Sequence, residues 1–293
     1  MLPIEAFLKE AADKTEAELE KQLAPQYSGD TVLAKAMRYA VLGGGKRIRA
    51  FLVLQFCRLA GGKEESALPF AAALEMVHAY SLVHDDLPCM DNDDMRRGKP
   101  SCHKAFGEAN ALLAGDTLLT QAFEVIAQNE AVPPRSAVLA TCALAQGAGA
   151  LGMAGGQYYD LSDECTSYGE LRRLQSMKTG ALIRTAALLG CYAASPDPDP
   201  SLVKDALLYA DRIGFAFQIV DDMLDVTSTE AELGKPIGSD AKNGKKTILT
   251  YLSLEGAAAL AKQCTEEAVA ALQGYPGNET LCDLAQYLLN RKK

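Results

Sequence analysis

Residues 67–86 read ALPFAAALEMVHAYSLVHDD, and residues 205–226 read DALLYADRIGFAFQIVDDMLDV. In both, apolar residues recur at spacings of three and four, which predicts helix. Neither run leaves a polar face broad enough for a surface helix, so each belongs in the middle of a bundle. The remainder of the chain carries the same signature. Ala, Leu, Glu and Lys are abundant, and alternating β-branched runs with hairpin turns are missing. Breaker-rich stretches at 24–30, 61–66, 87–100, 131–136, 194–200, 234–246 and 274–279 divide the chain into roughly ten or more helices. No linker is long or low in complexity. The expected fold class is all-α, one large helical domain over 1–293.

The chain has 293 residues, 48% of them hydrophobic, enough for a sizeable core, and a net charge of −9. That charge argues against nucleic acid as a partner. Eight cysteines form no CxxC pair and no zinc-like spacing with the histidines, so they read as small buried hydrophobes in a reducing compartment. The amphipathic, acidic N-terminus lacks the basic and apolar regions of a secretory leader. No stretch of about 20 uninterrupted apolar residues occurs, so no membrane span is expected. The expectation is a soluble, cytoplasmic protein.

Both apolar runs end in acids. Asp221 and Asp225 are four apart and share a helix face, with Asp222 beside them. Carboxylates one turn apart repel, and a hard divalent cation resolves that repulsion. Oxygen-only ligands suit Mg²⁺. The first run continues as HDDLPCMDNDDMRRG over 84–98. Asp85, with Asp86 beside it, and Asp91 are six apart, which does not superpose on a regular helix. Pro88 breaks the ladder and lets two residues loop out, restoring a spacing of four. The segment does not match an EF-hand loop. A solvated acidic face is the alternative for either cluster alone; two such clusters, each closing an apolar helix, point to metal.

Mg²⁺ keeps positions for water and phosphate oxygens. Arg96 and Arg97 follow the first acids and can fork onto a diphosphate. GGGKRIR supplies Lys46, Arg47 and Arg49 behind a glycine turn, without P-loop spacing. MKTGALI supplies Lys178 and Thr179, and LGKPIGSD supplies Lys235. For each lysine taken singly, a surface role is the alternative.

Taken together, GGGKRIRA, HAYSLVHDDLPCMDNDDMRRGKPSCHKAFGEANALLAGD, GGQYYDL, MKTGALI, FQIVDDMLDV and LGKPIGSDAKNGKKT resemble the trans, head-to-tail isoprenyl diphosphate synthases over nearly the whole chain. The resemblance implies an isoprenoid-synthase bundle around a central cavity. It implies three Mg²⁺ ions between the acid clusters, two on Asp85 and Asp91 and one on Asp221 with Asp222 and Asp225. Arg96, Lys178 and Lys235 would hold an allylic diphosphate. Lys46, Arg49, His78 and Arg97 would hold isopentenyl diphosphate. The Lys178 carbonyl, Thr179 and Gln218 would face the allylic cation. A buried structural amide and a core histidine are the alternatives for Gln218 and His78. A homodimer is also implied.

Tyr80 and Ser81 lie five and four residues before Asp85, about 6–7.5 Å below it along a helix. A tyrosine there can floor the cavity, or merely pack the core. In family terms an aromatic at this place looks like the farnesyl type, with a geranylgeranyl product as runner-up. A class I terpene cyclase and a non-catalytic subunit are the rivals. DDMLD speaks against the first, and the retention of both acid clusters and the basic residues against the second.

Overall fold

The computed structural model describes residues 3–23, 29–162, 166–227 and 246–291. It divides into two compact units, one of Met1–Cys142 with Leu189–Pro198 and the other of Ala143–Leu188 with Asp199–Lys293.

The first unit contains α1 (Pro3–Gln22), α2 (Val32–Val41), α3 (Ile48–Leu59), α4 (Glu64–Asp85), α5 (Cys102–Phe106) and α6 (Glu108–Ala127). Helix α4 carries the first quoted run. It is buried on all sides, with Phe70, Leu74 and Met76 fully enclosed, and it packs against α1, α2, α3 and α6. That is the central position its pattern predicts.

The second unit contains α8 (Met153–Leu161), α9 (Tyr168–Gln175), a π-helical turn (Ser176–Gly180), α11 (Pro200–Thr227), a short 3₁₀ turn (Ile248–Thr250), α12 (Leu254–Leu272) and α13 (Glu279–Leu289). Helices α7 (Pro134–Ala148) and α10 (Ala181–Ala194) give residues to both units. The second quoted run lies in α11, which packs against α12, α13 and the π turn. Phe215, Ile219 and Val220 join Ile248, Ala257 and Ala261 in its core. Tyr209 is fully buried and donates its hydroxyl to the Leu281 carbonyl, 2.7 Å away.

The structure corrects one expectation. The breaker stretch 87–100 contains a hairpin of β1 (Met95–Arg96) and β2 (Lys99–Pro100). Its two-residue turn, Arg97-Gly98, has φ of 52° and 74°, the left-handed pair that a type I′ turn requires. In addition, two stretches, 64–85 and 134–161, are long and apolar enough to cross a membrane by length and composition. The first is α4, the core helix just described.

Candidate active site

In the first unit the acids are placed by the end of α4. Its last residue is Asp85, and Asp86 caps it. The chain loops through Pro88 and returns, and the Asp91 amide donates to the Asp85 carbonyl at 2.8 Å. A regular helix closes such a bond over four residues. Here it closes over six, so two residues bulge out and Asp91 comes back onto Asp85. Asp85 is half-buried and Asp91 exposed.

Asp86 faces elsewhere. It is buried and takes both oxygens to Arg96, with Nε at 3.1 and 3.2 Å and Nη2 closing the fork. Burial raises its carboxyl and the guanidinium opposes that rise. Neighbours on a helix point about 100° apart, so Asp86 holds Arg96 while Asp85 stays with Asp91. The sequence reading grouped all three as ligands.

The hairpin then separates the two arginines. Arg96 lies on β1 against Asp86. Arg97, at the turn, donates to the Gly44 carbonyl. Gly44 and Gly45 have φ of 79° and 121°, and a Cβ at Gly45 would lie 3.0 Å from the Arg97 guanidinium. The glycines therefore make room for Arg97. Of the cations behind them, Lys46 is exposed. Arg49 Nη1 donates to His78 Nε2 at 3.4 Å. Burial, then the charges of Arg49 and Arg97, push His78 well below the ordinary imidazole range. The ring is neutral, and with Nε2 accepting, its proton sits on Nδ1.

Arg47 does not join them. It is buried and bridges Glu75 at 3.0 Å and Glu16 at 3.2 Å, while Glu75 also accepts from the Ala50 amide at 3.2 Å. Glu75→Ala is expected to destabilise the protein by about 1–3 kcal/mol, because it leaves Arg47 Nη1 and the buried Ala50 amide without their acceptor. A denaturant midpoint equal to the parent's would overturn that assignment.

Tyr80 is half-buried, edge-on to His84 with ring centroids 5.6 Å apart. Ser81 donates to the His78 carbonyl at 2.9 Å.

In the second unit, Asp160, Lys178, Thr179, Gln218, Asp221 and Lys246 line one cavity of about 160 Å³. Lys178 and Thr179 lie in the π turn, a deformation that recurs at functional sites. A Cβ at Gly156 would collide with the Lys178 backbone, so glycine lets α8 approach. Lys178 Nζ pairs with Asp160 at 2.6 Å. Thr179 Oγ1 donates to Gln218 Oε1 at 3.2 Å, and Gln218 Nε2 donates to Asp222 at 2.9 Å. Asp222 is buried and also accepts from Gln175 at 3.3 Å and from the Ile248 amide at 2.9 Å. Both its oxygens are engaged, and they fix the Gln218 amide with its oxygen toward Thr179. Asp221 is instead half-exposed and pairs with Arg291 at 3.0 Å. Asp225 is buried one turn further on.

Each acid cluster by itself fits a hard divalent ion: Asp85 with Asp91 in the first unit, and Asp221 with Asp225 in the second, offer only oxygen. Among the described residues no three acidic, histidine or cysteine side chains converge to cage an ion by themselves.

A family model described as "Polyprenyl synthetase" matches residues 30–275. The chain belongs to this family. It is 41% identical over 276 residues to a farnesyl diphosphate synthase of Haemophilus influenzae, covering 94% of both chains. It is 44% identical over 266 residues to a geranylgeranyl diphosphate synthase of Cyanophora paradoxa, covering 89% of this chain and 88% of that one. Among solved structures, a geranylgeranyl pyrophosphate synthetase of Pyrococcus horikoshii superposes with a TM-score of 0.88 at 32% identity, covering 98% of each chain. The all-α class expected from the sequence is the class of these isoprenyl synthases.

Three residues of this polyprenyl synthetase went unassigned in the sequence reading. Asp160 holds Lys178. Lys246 lines the same cavity. Gln157 has both ends of its amide buried without a partner among the described residues, a cost of about 1–3 kcal/mol for each stranded group. Gln157 and Asp160 both fall in GGQYYDL, and their i, i+3 spacing was the available signal. Lys235 lies outside the described residues.

Proposed function

We propose that this chain is a Mg²⁺-dependent prenyltransferase that joins isopentenyl diphosphate head to tail to dimethylallyl or geranyl diphosphate, with farnesyl diphosphate as product. The observation that carries the reading is the second-unit cavity. It gathers cations suited to a diphosphate, Lys178 and Lys246, with the oxygens of Thr179 and Gln218. That combination suits a substrate that becomes a diphosphate anion and an allylic cation.

The allylic C1–O bond breaks, and its electron pair leaves on the diphosphate. Arg96, Lys178 and Lys235 offset the charge that develops there. The Lys178 carbonyl, Thr179 and Gln218 turn acceptor dipoles toward the cation. The terminal double bond of isopentenyl diphosphate, held by Lys46, Arg49, His78 and Arg97, attacks C1. The resulting tertiary cation loses a proton to the released diphosphate and closes the new double bond. Asp85 with Asp91, and Asp221 with Asp225, would hold three Mg²⁺ ions, which would supply Lewis-acid neutralisation of the leaving group. Asp86 and Asp222 act through Arg96 and Gln218. We also infer a cytoplasmic homodimer. Exposed Leu112, Leu113 and Val138 supply apolar surface for it, and sedimentation as a monomer would overturn it.

The test incubates the purified protein with Mg²⁺, labelled isopentenyl diphosphate and either allylic starter, followed by dephosphorylation and sizing of the alcohols. Farnesol as the main product supports the reading. Geranylgeraniol, the second reading favoured by the Cyanophora relative, would keep the chemistry and change the product. Absence of any Mg²⁺-dependent product would sink the enzyme assignment. Tyr80→Ala is expected to shift the product to longer chains by removing a half-buried ring five residues before Asp85. An unaltered chain-length distribution would clear Tyr80 of that role.

A further inference from the structure

Lys178 and Thr179 line the second-unit cavity from a π-wound turn, and that winding has a visible brace. Arg184, in α10, returns its guanidinium to the first residue of the π turn. Nη1 donates to Ser176 Oγ at 3.0 Å, and Nη2 donates to the Ser176 carbonyl, also at 3.0 Å. Nη1 also meets Asp211 Oδ1 of α11 at 3.1 Å. A π turn holds one more residue than the α-helix around it, and its backbone groups depart from the usual four-residue pairing. A forked, planar donor can hold such a carbonyl and a side chain at once.

The packing leaves space for this fork. A Cβ at Gly180 would lie 3.0 Å from Arg184 Nη1. A Cβ at Gly214, on α11 one turn after Asp211, would lie 3.5 Å from the Gly180 Cα. Helix α11 therefore approaches the π turn at a glycine pair, with Arg184 and Asp211 beside it. Neither Arg184 nor Asp211 lines the cavity.

We propose that Arg184, clamped by Asp211, is a positioning residue that holds the π turn in register, so that Thr179 meets Gln218 and Lys178 faces the substrate. The proposal rests on the function given above. If the turn relaxed to α-helix, one residue of register would be lost. Residues on one side of the turn would then rotate by about 100° relative to the other. Thr179 would leave Gln218, and Lys178 would leave Asp160. As a stabilising pair, Arg184 and Asp211 are half-exposed and of little consequence. Their effect is on geometry.

The test compares Arg184→Met, Arg184→Lys and Asp211→Asn with the parent enzyme. It uses steady-state kinetics, thermal melting and amide hydrogen exchange of peptides spanning 176–181. Arg184→Met is expected to lower kcat by about a hundredfold, the cost of a small misplacement made away from the chemistry. KM for isopentenyl diphosphate and the melting temperature should hold, and exchange at 176–181 should speed up. Arg184→Lys, which cannot fork, should fall between parent and Met. Asp211→Asn should show the same pattern more weakly, and it serves if the Met variant folds poorly. Unchanged kcat with unchanged exchange would overturn the brace, as would a fall in melting temperature alone. If the parent enzyme proved inactive, the function would fall, while exchange at 176–181 would still decide whether Arg184 holds the turn.

Discussion

Asp85→Ala is expected to lower kcat by about a thousandfold or more, the scale of removing a main electrostatic stabiliser, while leaving helical circular dichroism intact and the melting temperature equal or higher. The stability half follows from where Asp85 sits. It is the last residue of a 22-residue helix, and a helix C-terminus carries partial negative charge. An acid there is unfavourable by about 0.3–1 kcal/mol. Asp225 lies in the last turn of α11, the same unfavourable end, with Asp221 one turn before it. A fold selected for stability alone would not place acids at both C-termini, next to carbonyls already rich in negative charge. The proposed cation would remove the conflict at each site, and activity is what the placement would gain. Kinetics and a melting curve on one preparation separate the two effects. A variant as active as its parent would remove Asp85 from the metal site. A variant that melts many degrees lower would make the residue structural.

How much of this was legible in the sequence depends on how far each signal reaches. The central helices were legible because burial on all faces must be written along the whole run, as in 67–86. The return of Asp91 onto Asp85 was legible because Pro88 cannot continue a helix and six residues must then close where four would do. The hairpin was not legible. Its strands are two residues each, too short for alternation, and its one mark is the left-handed pair Arg97-Gly98. The π turn leaves no mark in composition, since its extra residue is ordinary. Adjacent acids present a different case. Asp85 with Asp86, and Asp221 with Asp222, read as equivalent ligands by type. Helical geometry sets neighbours about 100° apart, which already separates them.

That separation yields the second large effect. Asp221→Asn and Asp222→Asn change one atom each in adjacent residues, and their outcomes are expected to diverge. Asp221 is half-exposed and pairs with Arg291. Arg291 keeps the Phe217 carbonyl at 3.0 Å and stacks 3.8 Å from the Phe217 ring after the substitution. Stability should therefore stay within about 1 kcal/mol. Loss of a proposed metal ligand should still lower kcat by about a thousandfold. Asp222→Asn places an amide N–H₂ where an acceptor served Gln175, Gln218 or the Ile248 amide. A buried donor then faces a donor, at a cost of about 1–3 kcal/mol, and the Gln218 amide loses the contact that turns its oxygen to Thr179. Its signature is lowered stability together with a smaller fall in kcat. Added Mg²⁺ at high concentration should rescue part of the Asp221→Asn deficit by mass action on a weakened site, and none of the Asp222→Asn deficit, which is one of orientation. If both variants lost stability equally, or responded to Mg²⁺ alike, the division of labour between these neighbours would be wrong.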